Sequence, residues 1–122
     1  FQKIRIARSL VQDCSVMLLD EPTSALDVNY QFNLLEKIRN IVKEKNICAI
    51  ISIHDINLAS IFADRIFLLK KYNLLLENEN QLLIGTSEEI LNSKDLSKAF
   101  NTNFRTFLHP EYNKSQIYIK GK

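Results

Sequence analysis

The chain has 122 residues, with 16 Lys and Arg against 14 Asp and Glu, for a formal net charge of +2. That balance argues against a dedicated nucleic-acid binder, which carries a clear basic excess. A content of 46% hydrophobic and 25% charged residues is that of a folded globular chain rather than a disordered one. No stretch approaches the roughly 20 consecutive apolar residues of a membrane-spanning helix, since the run Ile47 to Ile53 is short and broken by Ser52. Cys14 and Cys48 have no Cys-x-x-Cys spacing, so neither a metal cluster nor a disulfide framework is indicated. Both are expected to be small buried hydrophobes in a reducing compartment. Phe1 to Leu10 carries no apolar core of a signal peptide, and a first residue that is Phe rather than Met suggests a piece of a longer polypeptide.

Ile4, Ile6, Ala7, Leu10 and Val11 recur at helical spacing and predict an amphipathic helix ending near Asp13. Val16 to Leu19 is an unbroken apolar run, the pattern of a strand buried on both faces of a parallel sheet. Asp27 can N-cap a helix running to about Lys45, with Val28, Phe32, Leu35, Ile38 and Val42 on its apolar face. Ile47 to Ile53 predicts a second buried strand, Asp55 to Phe62 a helix and Ile66 to Leu69 a third strand. Strand and helix alternating at these lengths predict β-α-β crossovers, a parallel sheet and the α/β class.

Beyond Tyr72 the pattern changes. Leu74 to Leu76 and Leu82 to Ile84 flank a polar tip and predict an antiparallel hairpin closed by Gly85. Ser87 followed by Glu88 to Leu91 reads as an N-capped short helix, and Asp95 to Phe100 as another. From Asn101 onward, short edge strands and an extended tail are both compatible with the sequence.

Open parallel sheets bind ligands outside the carboxyl ends of their strands. Two polar clusters fall there: Asp20 to Asp27 after the first apolar run, and His54-Asp55 after Ile53. Thirty-three residues separate Glu21 from His54, about one β-α-β unit, so both strand ends can share one rim. A carboxylate ending a buried strand can hold a hard cation such as Mg²⁺, usually through water. A second carboxylate beside it can orient or deprotonate a water, and a histidine across the rim can hydrogen-bond a phosphate oxygen. Phosphoryl transfer demands positioning and electrostatics of this kind. Each feature also has a plainer explanation, as a solvated turn, a structural histidine or a helix cap at Asp27, and it is their joint location that points to chemistry.

The string Val16-Met17-Leu18-Leu19-Asp20-Glu21-Pro22-Thr23-Ser24-Ala25-Leu26-Asp27 closely resembles the Walker B strand, catalytic glutamate and D-loop of ATP-binding-cassette (ABC) ATPases. Ile53-His54-Asp55 resembles their histidine switch, and Phe1 to Leu10 the helix that follows their signature motif. Asp55 to Ala59, Ala63 to Ile66, Glu88 to Leu91 and His109-Pro110-Glu111 also fall in the family's order. The resemblance spans nearly the whole chain and implies the C-terminal part of a P-loop NTPase domain: a parallel sheet with flanking helices plus a small hairpin and helix region. It implies that Asp20 supports Mg²⁺, that Glu21 polarises the hydrolytic water and that His54 senses the γ-phosphate of ATP. Ser24, Ala25, Leu26 and Asp27 would meet a second ATP-binding subunit across a nucleotide-sandwich dimer. Membrane permease subunits are the other implied partner, with the ATPase peripheral on the cytoplasmic face of the membrane. Asp-x-Asn-Leu-Ala and the late His-Pro-Glu are most similar to importers of iron chelates, haem or cobalamin.

The Walker A loop, Gln loop and signature motif are absent from the chain and are expected to lie before Phe1; Gly121-Lys122 has no glycine-rich approach. The stretch from Leu69 to Gly85 is longer than the family's and lacks its turn glycine. A non-catalytic truncated or split-gene product is the alternative expectation. A cassette ATPase acting on DNA or ribosomes is disfavoured by the lack of a basic stripe.

Overall fold

A computed structural model describes residues 13–69 and 82–121. The helix expected before Asp13, and the Leu74–Leu76 strand with its polar tip, lie outside the described residues. The chain divides into two compact units at Asp55/Ile56.

In the first unit, β1 (Val16–Leu19) pairs in parallel with β2 (Cys48–Ile51), and α1 (Val28–Lys45) connects them. The register runs from Val16 opposite Cys48 to Leu19 opposite Ile51. The helix ends where expected, because Asn46 adopts the left-handed conformation at φ 51°. There the Ile47 N–H reaches the Val42 carbonyl and the Asn46 N–H that of Lys43, closing the last turn. Leu35 and Ile38 are the buried residues of α1, whereas Val28, expected on the same face, is 80% exposed.

Burial of β1 departs from expectation. Met17 and Leu19 are buried, but Val16 and Leu18 are 48% and 72% exposed, and Cys48 and Ile50 are also exposed on β2. The apolar run therefore buries alternate residues on one face. Consecutive apolar residues make one-sided and two-sided burial look alike in sequence, because the pleat sends neighbours to opposite faces whatever covers them. Cys48 is accordingly not a buried thiol, and Cys14 is only half-buried.

In the second unit, α2 (Ile56–Phe62) leads into β3 (Ile66–Leu69), which pairs antiparallel with β4 (Leu82–Gly85). One correction follows: among the described residues Ile66 to Leu69 is not a third parallel strand but pairs antiparallel with Leu82 to Gly85, with Ile66 opposite Gly85. Then come α3 (Ser87–Leu91), α4 (Lys94–Phe100) and an antiparallel hairpin of β5 (Phe104–Leu108) and β6 (Ser115–Ile119), which resolves the C-terminal alternative in favour of strands. Leu68, Ile90, Leu91, Leu96 and Ile117 form the core, with Ile56, Ile66, Leu83, Ala99 and Phe104 packed against it.

Caps fix the short helices. The cap of α3 is Thr86 rather than Ser87: its hydroxyl accepts from the Glu89 N–H, while the Glu89 carboxylate accepts from the Thr86 N–H at 2.8 Å, a reciprocal capping box. Gly85 leaves room beside it, since a Cβ there would lie 2.7 Å from Glu89 Oε2 and 3.1 Å from Glu89 Cβ and would crowd the carboxylate of the capping box. On α2, the Asn57 side chain acts as one more strand residue for β6. Its Nδ2 donates to the Ile117 carbonyl at 3.0 Å and its Oδ1 accepts from the Ile117 N–H at 2.8 Å. The Ser60 hydroxyl, fully buried, donates to the Ser115 carbonyl one pleat earlier.

Candidate active site

The carboxyl end of the β1–β2 pair gathers Asp20, Glu21 and His54, all within the first unit. Asp20 leaves β1 with its carboxylate exposed. Glu21 follows with φ 45°, inside the left-handed region that costs a residue with a Cβ about 1–2 kcal/mol. This turn swings the Glu21 side chain toward His54, 33 positions away, and the imidazole Nε2 meets Glu21 Oε1 at 2.7 Å. His54 remains 84% exposed and Glu21 46%, so the contact is open to water and to any ligand on the rim.

The turn after Glu21 is held by its own backbone and by α1. Both the N–H and the hydroxyl of Ser24 donate to the Glu21 carbonyl, at 3.2 and 3.0 Å, which offsets part of the strain at Glu21. Ala25 is left-handed as well, at φ 61°. Thr23 is buried and its carbonyl accepts from the Leu26 N–H at 3.3 Å. The Gln31 amide, on the first turns of α1, donates to the Thr23 and Leu26 carbonyls at 3.2 and 3.0 Å. Asp27 occupies the N-cap position, but its side chain makes no capping hydrogen bond, a correction to the cap predicted for it. Ser24, Ala25 and Asp27 are exposed, and Leu26 is half-buried.

The structure thus brings Asp20, Glu21 and His54 together, with Ser24 to Asp27 as a braced, outward-facing turn. Two contributors were not singled out from sequence. Gln31 reads as an ordinary polar helix residue, and Ser52 reads only as an interruption of an apolar run. Ser52 is in fact the hub of the rim: its hydroxyl donates to Asp20 Oδ1 at 2.6 Å and accepts from the Glu21 N–H at 2.7 Å. The parallel register foretells this meeting, because continuing Leu19↔Ile51 by one residue sets Asp20 opposite Ser52.

Among the described residues, no group of three or more His, Cys, Asp or Glu side chains could enclose a metal ion. Mg²⁺ needs no such cage, since it keeps several waters and commonly takes one or two carboxylates together with substrate phosphates. The exposed Asp20 carboxylate, adjacent to Glu21, fits that donor set.

A parallel strand pair with successive carboxylates at its carboxyl end, followed by a second unit of antiparallel strand pairs and short helices, is the C-terminal part of an ABC-type P-loop ATPase fold. The solved structure of a metal-chelate type ABC transporter in an inward-facing conformation matches it with a TM-score of 0.78 and 27% identity, over 98% of this chain and 46% of that one. Sequence comparison then gives the relatives. The haemin import ATP-binding protein HmuV of Pseudomonas aeruginosa is 35% identical over 115 residues, 90% of this chain and 42% of that protein. HmuV of Vibrio vulnificus is 40% identical over 81 residues, covering 62% and 31%. An ABC transporter ATP-binding protein of Methanocaldococcus jannaschii is 42% identical over 74 residues, covering 61% and 26%. No protein-family model matches the chain. The chain is a relative of the ATP-binding subunits of ABC transporters, and it spans less than half the length of each of these proteins.

Proposed function

We propose that the chain supplies the hydrolytic rim of an ABC importer's ATP-binding subunit, residues 1–122 forming the part of the nucleotide-binding domain that runs from the post-signature helix to the C-terminal region. The observation that carries the reading is the contact of Glu21 with His54 at 2.7 Å, beside Asp20, at the carboxyl end of a parallel strand pair. Asp20 would hold Mg²⁺ through water, and the cation supplies charge neutralisation at the β- and γ-phosphates of ATP. Glu21 orients a water and takes its proton as the water oxygen attacks the γ-phosphorus; the bond to the bridging oxygen breaks and ADP leaves. His54, fixed by its hydrogen bond to Glu21, is placed to bond the γ-phosphate and so to report whether it is there.

Ser24, Ala25, Leu26 and Asp27 meet a second ATP-binding subunit, an assignment supported by the exposure of Ser24, Ala25 and Asp27 on a turn braced by Gln31. The working assembly is a nucleotide-sandwich dimer docked on membrane permease subunits at the cytoplasmic face. No helix among the described residues is long and apolar enough to cross a membrane. The cargo is an iron chelate, haem or cobalamin; support comes from the haemin import relatives and the metal-chelate type transporter.

The test is Glu21→Gln in the ATP-hydrolysing polypeptide that carries this segment, paired with its permease. Turnover should fall by about 10²- to 10⁴-fold, ATP should still bind, and haemin uptake into cells should stop. Unchanged turnover would remove Glu21 from the reaction; loss of turnover with haemin uptake intact would remove haemin as cargo.

A further inference from the structure

Ser52 lies one residue beyond β2, where the ladder continues for a single further bond, from the Ser52 N–H to the Leu19 carbonyl at 3.0 Å. Its hydroxyl stands between the two carboxylate-bearing residues. A backbone N–H can only donate, so at 2.7 Å from the Glu21 nitrogen the hydroxyl oxygen must accept. The hydroxyl proton is then directed to Asp20 Oδ1, at 2.6 Å, a short charge-assisted bond. One hydroxyl is thus committed at both ends, its oxygen to Glu21 and its proton to Asp20, and so ties the two residues to a common point. The residue it ties to Asp20 is Glu21, whose backbone is left-handed at φ 45° and whose carboxylate reaches His54.

We propose that Ser52 is a positioning residue that holds the cation-facing carboxylate of Asp20 and the water-facing carboxylate of Glu21 as one unit. Its effect on hydrolysis rests on the ATPase reading above; its effect on the resting site does not. Removing the hydroxyl frees the Asp20 carboxylate to rotate and leaves the Glu21 N–H to water, so the two carboxylates lose their fixed mutual placement.

The informative pair is Ser52→Thr against Ser52→Val, which differ by a hydroxyl for a methyl at equal bulk and so separate the hydroxyl from packing; Ser52→Ala is the simpler companion. The first readout needs no nucleotide. Amide hydrogen exchange at Glu21 should quicken at least tenfold in Ser52→Val and Ser52→Ala and stay near wild type in Ser52→Thr, while the β1–β2 ladder amides stay protected in all three. The second is the kinetics of the ATP-hydrolysing polypeptide that carries the segment. There kcat should drop about 10- to 100-fold without the hydroxyl, half-saturating Mg²⁺ should rise, KM for ATP should stay within about twofold, and Ser52→Thr should restore activity. A protected Glu21 amide in Ser52→Val overturns the proposal. So does an exposed amide with unaltered kcat in an active enzyme, since Ser52 would then cap the strand and nothing more. A Glu21 amide protected in the wild type and exposed in Ser52→Val, in a polypeptide that hydrolyses no ATP, would sink the ATPase reading and leave the coupling of Asp20 to Glu21 standing.

Discussion

Glu21 and His54 touch at 2.7 Å across 33 positions of chain, yet neither is buried. A contact this exposed contributes no more than about 1 kcal/mol to folding, so it has little structural value. We expect His54→Ala to leave thermal stability within that margin while lowering ATP turnover at least tenfold, by analogy with other positioned acid-base groups. Equal losses in melting temperature and turnover would show instead that His54 serves the fold.

Met17 and Leu18 are neighbours with opposite fates. Met17 is buried and Leu18 is 72% exposed. Met17→Ala should cost about 2–5 kcal/mol of unfolding free energy by denaturant titration, against less than about 0.5 kcal/mol for Leu18→Ser in the chain on its own. Repeating Leu18→Ser in the assembled subunit gives a second answer: a large loss there would mean that other residues cover the outer face of β1.

Gly85 and Glu89 form a local pair in which space, rather than backbone freedom, sets the requirement. A Cβ at position 85 would meet Glu89 Oε2 at 2.7 Å, so Gly85→Ala should push the carboxylate out of the capping box and destabilise the second unit by about 1 kcal/mol. The double variant Gly85→Ala/Glu89→Ala should show a smaller cost for Gly85→Ala than the single one. Additive costs would mean that the clash lies elsewhere.

Asn57 completes the edge of β6 with a donor and an acceptor, both spent on Ile117. Asn57→Leu should leave the Ile117 N–H and carbonyl without partners and cost about 1–3 kcal/mol for each group so stranded. Faster amide exchange at Ile117, with β3–β4 protection unchanged, is the expected signature.

Much of this was legible in the sequence, for reasons that differ by residue. The helix from Val28 to Lys45 declares itself through the helical spacing of Phe32, Leu35, Ile38 and Val42. Asp20, Glu21 and His54 were identifiable because strand ends converge on one rim, and the structure does bring them together. What stayed hidden depends on partners remote in sequence. Pairing of β3 with β4 is a choice between parallel and antiparallel neighbours that local patterning does not make. The role of Ser52 needs a register, and that of Gln31 needs the path of the turn it ties down. Asp27 shows the converse: the right residue type sits at the cap position, and its carboxylate does not cap.

The parallel register of β1 with β2 also bears on how this segment can change over generations. Asp20 faces Ser52 only while the chain between them keeps its length or loops out any extra residue before β2 begins. A one-residue slip in pairing would carry Ser52 to the opposite side of the pleat and put Ile51 or Ile53 in its place. Insertions between Thr23 and Ile47 should therefore be purged unless they fall in the turn around Asn46.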